Sequence, residues 1–167
     1  MTCCTTGIGY DCHRFAPGRR LILGGIEIEH ELGLAGHSDA DVLTHAVIDA
    51  LLGAAGMGDI GEHFPDTDER FRDADSIELL GEVVTQLGGA GHEILNVDCT
   101  LVMEAPRLAP HKPAIRARLA GTLGIDPVRV NIKATTGEGM GFVGRGEGVA
   151  ALAVASLRRG GADADAD

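Results

Sequence analysis

Segments with the two-residue period of strands alternate along this chain with segments of helical period, and this order restricts the fold more than any other feature. Residues 20–30, "RLILGGIEIEH", predict two short strands joined at the glycine pair 24–25. Helical periods follow in 36–56 and 75–91. Between them, 58–71 is rich in Gly, Asp and Pro and predicts a loop.

The second half of the chain repeats the alternation. Residues 93–103 and 128–135 have strand periods, and a helix is predicted between them from Pro113 to Gly124. Residues 148–157 are apolar on both faces and fit a buried strand or a buried helix, although the flanking strands favour the strand. The residues expected to face the core are Val42, Ala46, Ala50, Leu51, Ile77, Leu80, Val84, Leu87, Leu95, Val97, Cys99, Leu101, Met103, Val128, Val130, Ile132 and Ala134.

This order of elements predicts an α/β fold, an α+β sandwich in which helices pack on one face of a mixed β-sheet. At 167 residues the chain has the length of one domain, without an internal repeat or a linker. We expect a single domain over 1–158 and a disordered acidic tail over 159–167, which ends in "GGADADAD".

The charge balance and the cysteines narrow the possible partners and the compartment. A formal net charge of −11 argues against binding to nucleic acid or to an anionic membrane, so a phosphate-bearing small molecule would need local cations. The four cysteines have no CxxC spacing, and neither a signal peptide nor an apolar run of about 18 residues is found. We therefore expect free thiols in a reducing cytoplasm.

The first candidate site lies in "GIGYDCHRF", residues 7–15, where two polar residues interrupt a strand. Side chains two apart in a strand share a face, so Asp11 and His13 project together while Cys12 points away. His45 lies in the first predicted helix, and a carboxylate with two imidazoles is a three-ligand zinc set with one open position. The same ligands suit non-haem iron, and an edge strand with two solvated polar residues is the structural alternative.

The surroundings of His45 yield three further expectations. Ser38 and Asp41 match a capping box at the start of the helix, so that a helix N-terminus would offer an anion site beside His37. Asp41 and Asp49 each lie one turn from His45, and either one would hold its outer ring nitrogen.

A second candidate site is the glycine-rich stretch 133–148, "KATTGEGMGFVGRGEG". Its N–H groups and hydroxyls suit phosphates, although it lacks the Gly-Lys-Ser/Thr of a Walker A loop. An acidic residue beside phosphates needs a bridging cation, so Glu138 indicates a hard metal such as Mg²⁺. A flexible glycine hairpin is the alternative.

These motifs, together with "EAPRLAPH" at 104–111, closely resemble the 2-C-methyl-D-erythritol 2,4-cyclodiphosphate synthase family over about residues 7–158. The resemblance implies a cytosolic homotrimer with active sites between subunits. Its substrate would be 4-diphosphocytidyl-2-C-methyl-D-erythritol 2-phosphate, whose 2-phosphate attacks the β-phosphate and expels CMP. A metal-dependent phosphohydrolase and a non-enzymatic isoprenoid-diphosphate or nucleotide-binding trimer are the other candidate functions.

The resemblance also implies roles for individual residues. Asp11, His13 and His45 match ligands of one Zn²⁺ per subunit, and Glu138 matches a ligand of Mg²⁺ or Mn²⁺ between the phosphates. His37 and Thr136 match residues that stabilise the transition state. The positions implied to contact substrate are Ser38, Asp59, Ile60, Gly61, Phe64, Pro65, Asp66, Thr67, Asp68, Met103, Glu104, Ala105, Pro106, Arg107, Leu108, Ala109, Thr135, Gly137, Phe142 and Arg145.

Two further implications concern the trimer axis and the departures from the family pattern. Arg145 and Glu147 would line an axial cavity for an isoprenoid diphosphate. Gly137 stands where relatives often carry a hydroxyl or amide side chain. A glycine at this position would loosen the glycine-rich loop 133–148. Tyr10 stands where some relatives have Phe, and Cys12 stands where the residue is often aliphatic. None of the three departures removes a proposed ligand.

Overall fold

The structure is a computed structural model that describes residues 3–160. The strands are β1 (Cys3–Ala16), β2 (Leu21–Leu23), β3 (Ile26–Ile28), β4 (Gly33–Leu34), β5 (His92–Val102), β6 (Val130–Thr135) and β7 (Gly148–Arg159). The α-helices are α1 (Val42–Ala55), α2 (Ile60–His63), α3 (Ser76–Gly89), α4 (Lys112–Leu123) and α5 (Gly141–Gly144), and the 3₁₀ turns are Glu69–Phe71 and Pro127–Arg129.

Five strands form one mixed sheet in the order β4-β1-β7-β5-β6. β5 and β6 are parallel and α4 connects them, whereas the other neighbouring pairs are antiparallel. α1 packs on β1 and β7, α3 on β5 and α4 on β6, so the helices cover one face. The predicted fold class is confirmed.

The contact between α1 and β1 is unusually close because glycines stand where the helix crosses the strand. A Cβ added to Gly7 would lie 2.2 Å from the Ala50 carbonyl oxygen, and one added to Gly9 would lie 1.9 Å from that of Ala46. Backbone atoms of the helix therefore occupy the space that side chains would fill. The next two residues on this face of β1 are Asp11 and His13, so the approach sets the distance from those side chains to the helix.

The start of α1 differs from the predicted capping box. Asp41, not Ser38, is the N-cap, and its carboxylate accepts hydrogen bonds from the Thr44 N–H and hydroxyl. The same carboxylate accepts the N–H groups of Gly24 and Gly25 in the β2–β3 turn. The predicted hairpin is confirmed, and the buried Asp41 ties it to the helix. Burial raises the pKa of Asp41, although the hydrogen bonds to its carboxylate act in the opposite direction.

Three details of the strands and loops also differ from prediction. A bulge between Ile94 and Asn96 shifts the start of β5, so Ile94 rather than Leu95 is buried. Val128 belongs to a 3₁₀ turn and is 83% exposed, and Ala134 is exposed near the end of the edge strand β6. The predicted loop contains α2 and a 3₁₀ turn, which Asp59 and Asp68 cap.

The apolar segment 148–157, for which a strand was favoured over a helix, is a strand. β7 lies between β1 and β5 and extends to Arg159, one residue beyond the predicted domain boundary. The rest of the predicted tail, from 161, lies outside the described residues. Cys4, Cys12 and Cys99 are free thiols, and no helix within 3–160 is long and apolar enough to cross a membrane.

The sheet face opposite the helices carries large apolar side chains that remain exposed in the single chain. Ile8 is 69% exposed and Tyr10 is 54% exposed, and they pair across the strands with Val154 and Leu152. A contiguous exposed group of this kind indicates an interaction surface.

Replacing Gly9 with alanine tests the close contact between strand and helix. Because the added methyl would overlap the Ala46 carbonyl, we expect Gly9→Ala to lower the free energy of unfolding by about 2–3 kcal/mol. Gly81→Ala is the matched control, since Gly81 lies in α3 with open space around it. We expect this substitution to raise the free energy of unfolding by about 0.5–1 kcal/mol. Denaturant unfolding measures both, and a Gly9→Ala protein as stable as the parent would contradict the argument.

Candidate active site

Three side chains from β1 and α1 meet where the strand passes the first turn of the helix. Asp11 Oδ2 lies 3.0 Å from His13 Nε2 and 3.0 Å from His45 Nδ1. The two ring nitrogens are 3.2 Å apart. The structure thus brings the three predicted zinc ligands together, and each offers one ligand atom to a common centre.

The outer contacts of the triad orient its lone pairs inward. His13 Nδ1 lies 2.7 Å from the Ala35 carbonyl oxygen, which only accepts, so Nδ1 carries the proton and Nε2 presents a lone pair to the centre. Asp11 Oδ1 accepts the Cys12 N–H, which turns Oδ2 toward both imidazoles. Lone pairs that face one another at 3.0–3.2 Å repel, and a bound cation removes that repulsion.

The spacing suits a small metal ion. Zinc–ligand bonds of about 2.0–2.1 Å in a tetrahedron place the ligand atoms about 3.3 Å apart, close to the observed separations. Burial alone would raise the pKa of Asp11, but when protons instead of a cation lie between the carboxylate and the ring nitrogens, the resulting hydrogen bonds with His13 and His45 hold that pKa well below its usual range. Burial would likewise lower the pKa of His13, but the hydrogen bond that Nε2 donates to Asp11 when it is protonated outweighs burial and raises that pKa. Both shifts reflect a centre that favours positive charge.

The triad opens into a cavity of about 500 Å³. His37 and Ser38 line it, and the His37 ring is oriented by donation from Nε2 to the Asp68 carbonyl, 3.1 Å away. The other predicted substrate positions in its wall are Ile60, Gly61, Phe64, Pro65 and Asp66, whereas Asp59, Thr67 and Asp68 lie outside the lining. Phe71 and Leu79 add an apolar surface that was not predicted.

The predicted partners of the outer nitrogen of His45 are wrong. The Asp41 carboxylate accepts hydrogen bonds from the β2–β3 hairpin instead. Asp49 accepts the Ile60 N–H at 2.8 Å, and this bond positions α2 at the cavity. The contacts of His45 Nε2 are instead the hydroxyl oxygens of Ser38, at 3.1 Å, and Ser76, at 2.9 Å. Because α1 starts at Val42, the predicted anion site at His37–Ser38 is part of the preceding loop and not a helix N-terminus.

A second cleft, of about 230 Å³, lies at the ends of β5 and β6. The predicted substrate positions that line it are Met103, Glu104, Pro106, Arg107, Leu108, Ala109 and Thr135, and Thr136 from the glycine-rich loop joins them. Ala105 lies outside the lining and is joined to Pro106 by a cis peptide bond.

The loop beside this cleft is ordered by its own hydrogen bonds. The Thr136 hydroxyl donates to Glu138 Oε1 at 3.0 Å, and Glu138 has a φ of +52°, a backbone region unfavourable for side chains of its kind. Gly137 donates its N–H to Glu104 Oε1 and accepts the Met140 N–H. The expectation that Gly137 loosens the loop stays a prediction.

The two clefts share no lining residue among those described. Both lie at the same end of the sheet, but β1 and β6 are three strand spacings apart, or about 14 Å. The two clefts of one chain are therefore separate. Arg145 and Glu147 lie outside both linings and form an exposed pair at 2.7 Å, and Phe142 lies on α5.

Comparison with known proteins places the whole arrangement in a family. Residues 4–158 match the YgbB family. The chain belongs to the YgbB family. It is 54% identical over 151 residues to the 2-C-methyl-D-erythritol 2,4-cyclodiphosphate synthase of Alkaliphilus oremlandii, covering 90% of this chain and 96% of the relative. It is 60% identical over 154 residues to the bifunctional enzyme IspD/IspF of Anaeromyxobacter dehalogenans, covering 92% of this chain.

The chain spans 40% of that bifunctional relative. Among solved structures, the bifunctional IspDF of Campylobacter jejuni superposes with a TM-score of 0.92 at 44% identity, covering 96% of this chain and 43% of that one. A CDP-bound form of 2C-methyl-D-erythritol-2,4-cyclodiphosphate synthase superposes with a TM-score of 0.84 at 37% identity, covering 91% and 99%.

Several residues of this YgbB-family site were missed from the sequence. The glycines at alternate positions of "GIG" indicate close backbone approach in a strand, a signal that could have placed the helix against β1. Ser76 follows Asp75 at the start of α3 and resembles an ordinary cap sequence. Ala35 contributes only its carbonyl oxygen, for which the side-chain sequence holds no signal.

Removing one ligand tests the triad of this family member. We expect the parent protein to bind one Zn²⁺ per chain and His45→Ala to bind it more than about 100-fold more weakly, because two of three ligands remain. His30→Ala is the control, since His30 bonds the Leu32 carbonyl away from the cavity. Competition with a chromogenic chelator measures the affinities, and undiminished binding by His45→Ala would place the metal elsewhere.

Proposed function

We propose that this chain converts 4-diphosphocytidyl-2-C-methyl-D-erythritol 2-phosphate to 2-C-methyl-D-erythritol 2,4-cyclodiphosphate and CMP, in a reducing cytoplasm. An oxygen of the 2-phosphate attacks the β-phosphorus, and the bond from that phosphorus to the oxygen of CMP breaks. No water enters the products. The observation that carries the proposal is the inward-facing triad in a chain of the YgbB family.

The triad would hold Zn²⁺ through Asp11, His13 and His45, and Glu138 would hold Mg²⁺ or Mn²⁺. Bound cations neutralise phosphate charge, which a chain of net charge −11 does not do through its overall field. Phosphoryl transfer depends mainly on positioning and charge stabilisation, so an activated protein nucleophile is not required. In the transition state the Thr136 hydroxyl would turn its single proton from Glu138 to a phosphate oxygen. The His37 ring, doubly protonated, would donate from Nδ1 while its Nε2 remains bonded to the Asp68 carbonyl.

The cleft at 103–109 would hold the cytosine and its ribose. Two solved relatives are described with CDP, and both superpose on this chain with TM-scores above 0.8. The Glu104 carboxylate bonds the Gly137 N–H at 2.8 Å, so the nucleotide cleft and the phosphate loop are connected directly.

A homotrimer would complete the active site by bringing the cavity of one subunit to the nucleotide cleft of its neighbour. The separation of about 14 Å within one chain supports this arrangement. The exposed apolar pairs Ile8–Val154 and Tyr10–Leu152 supply a surface for the subunit contacts. The predicted axial cavity for an isoprenoid diphosphate, with Arg145 and Glu147, remains a prediction.

Product analysis in H₂¹⁸O tests the reaction. We expect equal amounts of cyclic diphosphate and CMP without ¹⁸O, because the nucleophile comes from the substrate. Thr136→Val should lower kcat by about 10²–10³-fold through loss of a donor, whereas Thr122→Val, a surface hydroxyl on α4, should leave it unchanged. Linear products that contain ¹⁸O would identify a phosphohydrolase, and binding without turnover would identify a binding protein.

Charge on the exposed sheet face tests the trimer. We expect the parent to have the mass of three chains by light scattering and Leu152→Glu to dissociate, because a carboxylate would be buried in the interface. Val128→Glu is the control, on the 3₁₀ turn outside the sheet. A monomeric parent, or a trimeric Leu152→Glu protein, would contradict the arrangement.

A further inference from the structure

A chain of hydrogen bonds leads from His45 away from the metal centre. His45 Nε2 lies 2.9 Å from the Ser76 hydroxyl oxygen, and the Ser76 hydroxyl donates to Asp39 Oδ1. Ser76 is fully buried at the first position of α3. A serine hydroxyl has one proton, and a carboxylate only accepts, so Ser76 Oγ accepts from His45 Nε2.

We infer that Ser76 and Asp39 are positioning residues that place the ring proton of His45 on Nε2 and so present the Nδ1 lone pair to the metal. The inference rests on the metal site proposed above. His13 is set in the same way by the Ala35 carbonyl, through its opposite nitrogen. Each imidazole of the triad is therefore fixed by an outer acceptor, and the strength of metal binding depends on those acceptors.

Asp39 is itself held in place from several directions. Its Oδ2 accepts the Ser76 N–H at 3.1 Å, and its Oδ1 also accepts the Asp41 N–H at 3.1 Å. Its own N–H donates to the Ala74 carbonyl at 3.0 Å. These bonds connect the loop before α1 to the start of α3. The carboxylate therefore keeps a fixed orientation toward the Ser76 hydroxyl.

Ser38 also lies near His45 Nε2, at 3.1 Å, but it is placed differently. Its oxygen accepts the Ala40 N–H, and among the described residues no carboxylate accepts its proton. A hydroxyl without such a partner can donate to the imidazole as well as accept from it, so it does not select one tautomer. The selection thus depends on Ser76.

Ser76→Ala removes this contact with little change to the fold. The Ser76 N–H that donates to Asp39 Oδ2 is a backbone group and remains, and the N-cap of α3 is Asp75, which accepts the Ile77 N–H. Thr85→Ala is the matched control, since Thr85 is an exposed hydroxyl about 13 Å further along the same helix. Ser76→Thr keeps the hydroxyl.

Zinc affinity, measured with Zn²⁺ and a chromogenic chelator, tests the inference independently of turnover. We expect Ser76→Ala to bind Zn²⁺ about 10–100-fold more weakly than the parent, and Ser76→Thr and Thr85→Ala to bind within about threefold of it. The visible spectrum of the Co²⁺-loaded Ser76→Ala protein should also differ from that of the parent, since the ring orientation reports on the ligand field.

Two results would overturn the inference: parent-like zinc affinity in Ser76→Ala, or an affinity in Ser76→Thr as low as in Ser76→Ala. Failure of the metal site itself is distinguishable, because the parent would then bind no better than His45→Ala. In that case the proposed function would fail together with the inference.

Discussion

The site depends on the close approach of β1 to α1. Gly7 and Gly9 allow helix backbone to occupy the side-chain positions of the strand, and the polar residues that follow on that face meet the first turn of the helix. A side chain at either glycine would push the helix away, and His45 would move with it. Packing and function therefore impose the same requirement on this face of the strand.

The geometry of the triad would allow this acidic chain to bind phosphates, as the proposed function requires. Three lone pairs converge at 3.0–3.2 Å, and the outer contacts prevent the rings from turning away. Such a centre is stable when a cation fills it, and the cation then supplies positive charge locally. The loop beside the second cleft carries another acidic group, Glu138, which in the proposed function would need a second cation beside phosphate.

The long strands, the helices α1, α3 and α4, and the triad could be predicted because each depends on local periodicity or on residue type, whereas the short elements β4, α2 and α5 were not predicted. Asp11 and His13 could be placed together because side chains two residues apart in a strand share a face. His45 could be added because it lies in a predicted helix and completes a known set of zinc ligands. The cap of α1 could not be predicted, because the Asp41 carboxylate is held in place by the N–H groups of Gly24 and Gly25, which is a tertiary contact. Ser76 was likewise hidden, because its role depends on α3 packing against the loop that contains Asp39.

Anomalous diffraction at the zinc edge, from crystals grown with Zn²⁺, locates the metal relative to the triad. We expect one strong anomalous peak per chain, about 2.0–2.1 Å from each of Asp11 Oδ2, His13 Nε2 and His45 Nδ1. A zinc peak bound by other residues, or no peak at this centre in zinc-saturated crystals, would contradict this expectation.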